Sequence, residues 1–171
     1  QDGIYVSTTN IALSNLIWGN QIRSNGRYGI YFYAWCTGGP RSVRVVSNII
    51  DGRGRLSTTG VYIEGASRIV VTNNVLKKSD RGVGVTSGCT GLPTSNKIVG
   101  NLILSNRFFG VYTTSGSNHA VISNVVRGGQ RTGLLIQGTT RSTFSNNRIV
   151  GNTNGIVLSG STYSNRVIKN A

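Results

Sequence analysis

The chain has 171 residues, 37% of them apolar, and its 18 Lys and Arg against four Asp and Glu give a formal charge of +14. No apolar run approaches the length of about 20 residues that a membrane-spanning helix needs, so no such span is expected. A field of this sign attracts anionic partners of any class, while four carboxylates leave little material for paired acid–base chemistry.

An asparagine recurs along the whole chain, at Asn20, Asn48, Asn74, Asn101, Asn124, Asn147 and Asn170, with spacings of 28, 26, 27, 23, 23 and 23. Three residues before each stands Ile17, Val45, Val71, Ile98, Val121, Phe144 or Val167. Two residues after the first six stands Ile22, Ile50, Leu76, Ile103, Val126 or Ile149. A second, glycine-led run carries alternating apolar pairs such as Ile30/Phe32, Val61/Ile63 and Leu134/Ile136. This period, too short for helix pairs, predicts a solenoid of about seven coils, each made of three short strands separated by bends.

In chain order, coil 1 (3–26) turns Tyr5 outward and places Trp18 beside the inward Ile17. Coil 2 (29–59) is the longest and carries Tyr31, Tyr33 and Trp35, followed by Cys36-Thr37-Gly38-Gly39-Pro40-Arg41-Ser42. Coil 3 (60–81) turns quickly through Glu64-Gly65-Ala66-Ser67, and coil 4 (82–109) repeats the insertion as Cys89-Thr90-Gly91-Leu92-Pro93-Thr94-Ser95. Both insertions leave the same corner, after the first strand, and insertions in solenoids often mark the binding face. Coils 5 and 6 are regular, and coil 7 stops short.

Coils of this kind stack about 4.8 Å apart through parallel backbone hydrogen bonds, so like residues pile on like. Asparagine is expected at the bend because it tolerates the left-handed conformation of a sharp corner, and stacked side-chain amides bond along the pile. On these features the chain resembles the right-handed parallel β-helix superfamily, the pectate-lyase-like proteins with their asparagine ladder. The resemblance covers the chain from Gly3 to Asn170 and implies an all-β, right-handed parallel β-helix. It says less about activity, since the fold hosts many functions. Methionine is absent and the first residue is Gln1, so residues 1–171 are read as one β-helix domain, a segment or mature form of something longer. Neither end looks capped, and flanking sequence, a partner or end-to-end self-association is expected to cover the exposed coils.

Cys36 and Cys89 each lie seven residues after their coil's leading glycine, with coil 3 between them. Strict stacking would hold them about 9.6 Å apart, beyond the roughly 4.4–6.8 Å between Cα atoms that a disulfide accepts. Two readings stay open: protruding loops that lean together and bridge, which suits an oxidising compartment, or two buried thiols.

The outer face of the first strand is the candidate binding surface, with Tyr33, Tyr62 and Glu64 as the floor of a groove between the two long loops and Tyr31 and Tyr112 in the same tyrosine column. Arg27, Arg55, Arg81, Arg107 and Arg131 recur at the last corner before a leading glycine. They read as a ridge whose like charges call for an anion or solvent between them, and Arg81, Arg107 and Arg131 join the candidate site. Glycoside hydrolysis wants two carboxylates about 5–9.5 Å apart, and Asp2, Asp51, Glu64 and Asp80 assemble no such pair. The aspartate clusters of the resembling hydrolases and calcium-dependent lyases are absent, so no metal or other cofactor is carried over. His119 reads as a turn residue.

The leading expectation is a secreted or surface module that binds an acidic polysaccharide or similar polyanion, with nucleic acid not favoured for want of a motif. The alternatives are a metal-free polysaccharide lyase or a fragment of one, with an Arg or Lys base and a Tyr acid, and a structural stalk that stacks end to end.

Overall fold

The computed structural model describes residues 1–8, 14–35, 39–89 and 91–171. The proposed Cys36–Cys89 pairing lies outside the described residues, because Cys36 is not among them. Three parallel sheets wind around one axis as a right-handed parallel β-helix. The first sheet stacks Ile4–Thr8, Tyr28–Ala34, Thr59–Glu64, Arg81–Thr86, Phe109–Thr113, Thr132–Gln137 and Asn154–Ser159 in chain order. The second stacks Leu16–Trp18, Arg44–Val46, Val70–Thr72, Lys97–Val99, Ala120–Ile122, Thr143–Ser145 and Arg166–Ile168. The third holds Gln21–Arg23, Ile49–Asp51, Val75–Lys77, Leu102–Leu104, Val125–Arg127 and Arg148–Val150, so the last coil lacks this strand.

Strict register makes columns. Ile30, Val61, Val83, Val111 and Leu134 pile up inside, as do Val45, Val71, Ile98, Val121 and Phe144 on the second sheet. Inward side chains therefore alternate with outward ones along the strands, and each fully buried aliphatic side chain contributes on the order of 1.5–3 kcal/mol. The glycine leading the first strand answers a packing need in every coil but the last, where a Cβ on Gly155 would meet nothing within 4 Å. A Cβ on Gly29 would stand 2.6 Å from the Gly60 carbonyl oxygen, and one on Gly60 2.7 Å from that of Gly82.

The asparagine ladder runs in one direction. Asn74 donates both its backbone N–H (2.9 Å) and its Nδ2 (3.0 Å) to Oδ1 of Asn101, which donates likewise to Asn124 at 2.9 and 3.0 Å. The same double bond links Asn20 to Asn48, Asn48 to Asn74, Asn124 to Asn147 and Asn147 to Asn170. Each central Nδ2 also donates to a backbone carbonyl of the preceding coil, as Asn101 does to Val71 at 2.9 Å. One expectation needs correcting: the left-handed residue is the one before the anchor. Gly19, Ser47, Asn73, Gly100, Ser123, Asn146 and Lys169 have φ between 52° and 68°. The anchor asparagine is selected by its acceptor and donor, and its neighbour makes the bend.

Asn101→Ala removes the acceptor of two buried donors and is expected to destabilise the fold by about 1–3 kcal/mol in denaturant titration.

Candidate functional site

The outer face of the first sheet is tiled with aromatic rings. In-register pairing sets Tyr5, Tyr31 and Tyr62 on successive coils, with ring centroids 5.2 and 5.5 Å apart. Tyr28, one strand position from the leading glycine, leans over the next coil and stacks on Tyr62 at 4.6 Å and 14°. Tyr33 and Trp35 extend the shelf edge-on at 5.1 Å. The column then meets Gly84, opposite both Tyr62 and Tyr112. A Cβ there would collide with the Tyr112 ring, so the glycine lets that ring lie flat and only 8% exposed.

Arginines border the tiling. The Arg27 guanidinium lies 4.8 Å from the Tyr28 ring centroid, donates to Tyr28 Oη at 3.4 Å, and is held more firmly in its charged form chiefly by that hydrogen bond. Arg81 lies 5.7 Å from the Tyr112 centroid. These residues, with Ser57, Thr59, Thr86, Phe109, Thr114, Leu135 and Gln137, line an open groove of about 510 Å³ whose walls contain no carboxylate.

The groove brings together some of the expected residues. Tyr62, Arg81 and Tyr112 line it, whereas Tyr31, Tyr33 and Glu64 do not. Glu64 accepts a 2.6 Å hydrogen bond from Tyr31 Oη and anchors that ring from the side. Three of the five corner arginines share one ring. Arg81, Arg107 and Arg131 fan around the Phe108 ring at 5.9, 4.3 and 5.0 Å, and Arg107 Nε is 3.6 Å from Asp80 Oδ1. An aromatic face and a buried carboxylate, absent from the expectation, thus relieve like-charge repulsion there. Tyr28, Phe108 and Phe109 escaped the sequence reading because they precede the leading glycine or replace its expected neighbours, outside the alternating template.

Every carboxylate has a structural partner. Asp2 accepts from the Tyr28 N–H at 3.3 Å, Asp51 from the Arg53 N–H at 2.9 Å, and Asp80 from the Ser57 N–H at 2.6 Å. Burial, assisted for Tyr31 by the Glu64 hydrogen bond, raises the phenols of Tyr31, Tyr62 and Tyr112 above the usual tyrosine range. Such groups are ring surfaces and hydrogen-bond donors, and poor sources of a proton.

His119 belongs to a second ladder, at the corner before the second strand. Its Nδ1 accepts from the Asn96 N–H at 3.2 Å, its own N–H donates to Ser142 Oγ at 2.9 Å, and Ser142 N–H donates to Asn165 Oδ1 at 2.9 Å. With Nδ1 an acceptor, Nε2 carries the proton and donates to the Ser115 carbonyl oxygen at 3.2 Å. Burial lowers the His119 pKa to about 4.

Residues 40–171 match the family described as periplasmic copper-binding protein (NosD). The chain belongs to the NosD family. Comparison with curated protein sequences gave no match. Among solved structures, the chain is similar to the periplasmic alginate epimerase AlgG, in a T265N mutant at TM-score 0.75 and 16% identity, over 99% of this chain and 47% of the other. It is also similar to DFA-IIIase from Arthrobacter chlorophenolicus A6 without its lid, at TM-score 0.59 and 15% identity, over 91% of this chain and 49% of the other. The chain thus spans about half the length of these structures, and at this identity the likeness concerns the fold.

The family description implies copper, and the residues present do not fit it. Copper sites draw on His, Cys and Met, and this NosD-family chain has no Met, two Cys of which Cys89 is disulfide-bonded, and one His, both of whose ring nitrogens are engaged by backbone groups. Among the described residues no three of His, Cys, Asp and Glu gather.

A histidine buried neutral makes stability depend on acid. The unfolded chain takes up its proton near pH 6.5 and the folded one only near 4, so stability falls as pH drops through this window, by about 3 kcal/mol in all, and levels off below it. His119→Asn keeps a ladder residue of the type at 96 and 165, and denaturation across pH 4–7 is expected to show a shallower acid slope than the parent protein.

Proposed function

We propose that this NosD-family chain is a carbohydrate-binding module that holds an acidic polysaccharide along the outer face of its first sheet, in the periplasm or outside the cell. The observation that carries the reading is the groove over Gly84, where rings and guanidiniums are exposed together and no carboxylate opposes a bound anion. Sugar rings would pack their apolar faces against Phe109 and the exposed side of the Tyr28–Tyr62 stack. Arg27 and Arg81 offer forked donors to uronate carboxylates, and Thr86, Thr114 and Gln137 reach hydroxyl groups. The axial run of the shelf, from Tyr5 to Tyr112, suits a polymer better than a single sugar. The alginate epimerase of the same fold acts on an acidic polysaccharide, and this supports the ligand class.

Affinity electrophoresis and matrix retention test the reading. Alginate or pectate is expected to retain the protein at low ionic strength and release it as salt screens the arginines, while a neutral glucan retains nothing. Tyr62→Ala and Arg81→Ala should each weaken binding by about tenfold with melting temperatures close to the parent's. Passage through an alginate column at low salt would contradict the proposal, and release of unsaturated sugar ends during the assay would replace it with a lyase.

A further inference from the structure

A second basic hollow opens at the corner between the third and first sheets. The first departure from the regular coil is length. The third-to-first corner of coil 2 takes residues 52–58, whereas the same corner takes only 78–80 in the next coil and 105–108 in the one after. The extension Gly52-Arg53-Gly54-Arg55-Leu56-Ser57-Thr58 is ordered throughout. Arg53 N–H donates to Asp51 Oδ1, Gly54 N–H to the Lys78 carbonyl oxygen at 2.7 Å, Arg55 N–H to that of Gly52 at 3.1 Å, and Ser57 N–H to Asp80 Oδ2 at 2.6 Å. These bonds fix the course of the loop backbone, and with it the places from which its side chains project.

The side chains it presents are cationic. Arg53 and Arg55 converge with Lys78 of the next coil and Arg107 of the one after on a hollow of about 280 Å³, with Ser105 and Gln130 completing the wall. Asp80 is the carboxylate of the lining, 5% exposed, and lies beside Arg107 at 3.6 Å. No ion pair reaches Arg53, Arg55 or Lys78 among the described residues. Lys78, moreover, holds φ of 53° at a corner position where the regular coils 5 and 6 carry Gly128 and Gly151. A cation stands where backbone conformation alone would favour glycine.

We infer that this corner binds a phosphate group, as inorganic phosphate or as the phosphate monoester of a sugar. A phosphate monoester carries close to two negative charges and three exposed oxygens. Two guanidinium forks can each take a pair of those oxygens, the ammonium supplies a point charge, and the Ser105 hydroxyl and Gln130 amide add neutral donors. A single carboxylate would leave three unpaired cations largely unmatched. The hollow lies across the 52–58 loop from the first-sheet groove, with Arg53 and Arg55 lining the one and Ser57 the other.

Titration calorimetry at low ionic strength in a non-anionic buffer tests this, with inorganic phosphate, glucose 6-phosphate and acetate as probes. One-to-one saturation by phosphate is expected, with acetate failing to saturate. Glucose 6-phosphate binding at least as tightly points to an ester as the natural source, and its exclusion points to free phosphate. Lys78→Gly, which keeps the left-handed corner, and Arg55→Gln should each weaken phosphate by about tenfold, with Arg166→Ala on the second sheet leaving it unchanged. Absence of saturable phosphate binding, equal affinity for acetate, or unaltered affinity in both corner variants at unchanged melting temperature would overturn the assignment.

Discussion

The constraint on which the molecule depends is the double hydrogen bond from one coil to the next: a backbone N–H and a side-chain Nδ2 meeting on the Oδ1 of the following asparagine. A slip of one residue would break both bonds on every rung and turn the inward aliphatic residues outward, since alternate strand residues face opposite ways. The ladder therefore does more than add hydrogen bonds. It sets the register of all three sheets, and register decides which outer residues become neighbours.

From register follow the columns, and from the columns the surface chemistry. Tyr5, Tyr31 and Tyr62 form a shelf because their strands pair residue for residue, and Gly84 opens the place into which Tyr112 folds. The charges obey the same geometry. Stacking arginines on consecutive coils would be costly in isolation, and Phe108 and Asp80 are placed among three of them. Arg27 and Arg81, beside Tyr28 and Tyr112, face the groove with no acid in its wall.

Much of this was legible in the chain because the period repeats one letter: the asparagines, the leading glycines and the inward aliphatic pairs name their own columns. The second ladder was hidden because its rungs differ in kind. Asn96, His119, Ser142 and Asn165 share a hydrogen-bonding role and no common residue type. The 52–58 extension was masked by the length of the cysteine-bearing insertion in the same coil. The position of the groove depends on how rings lean, as Tyr28 does over Tyr62 and Tyr112 over Gly84, and side-chain lean leaves no periodic trace. The left-handed corner residue was misassigned by one position because asparagine suits both a bend and a ladder.

Amide hydrogen exchange followed by NMR tests the register most directly. The backbone amides of Asn48, Asn74, Asn101, Asn124 and Asn147, each bonded to the next side chain, should exchange slowly and as a single cooperative group, together with their Nδ2 protons. Exchange of these amides at the rate of exposed corner amides would mean that the coils do not lie in this register, and the groove and the columns would go with it.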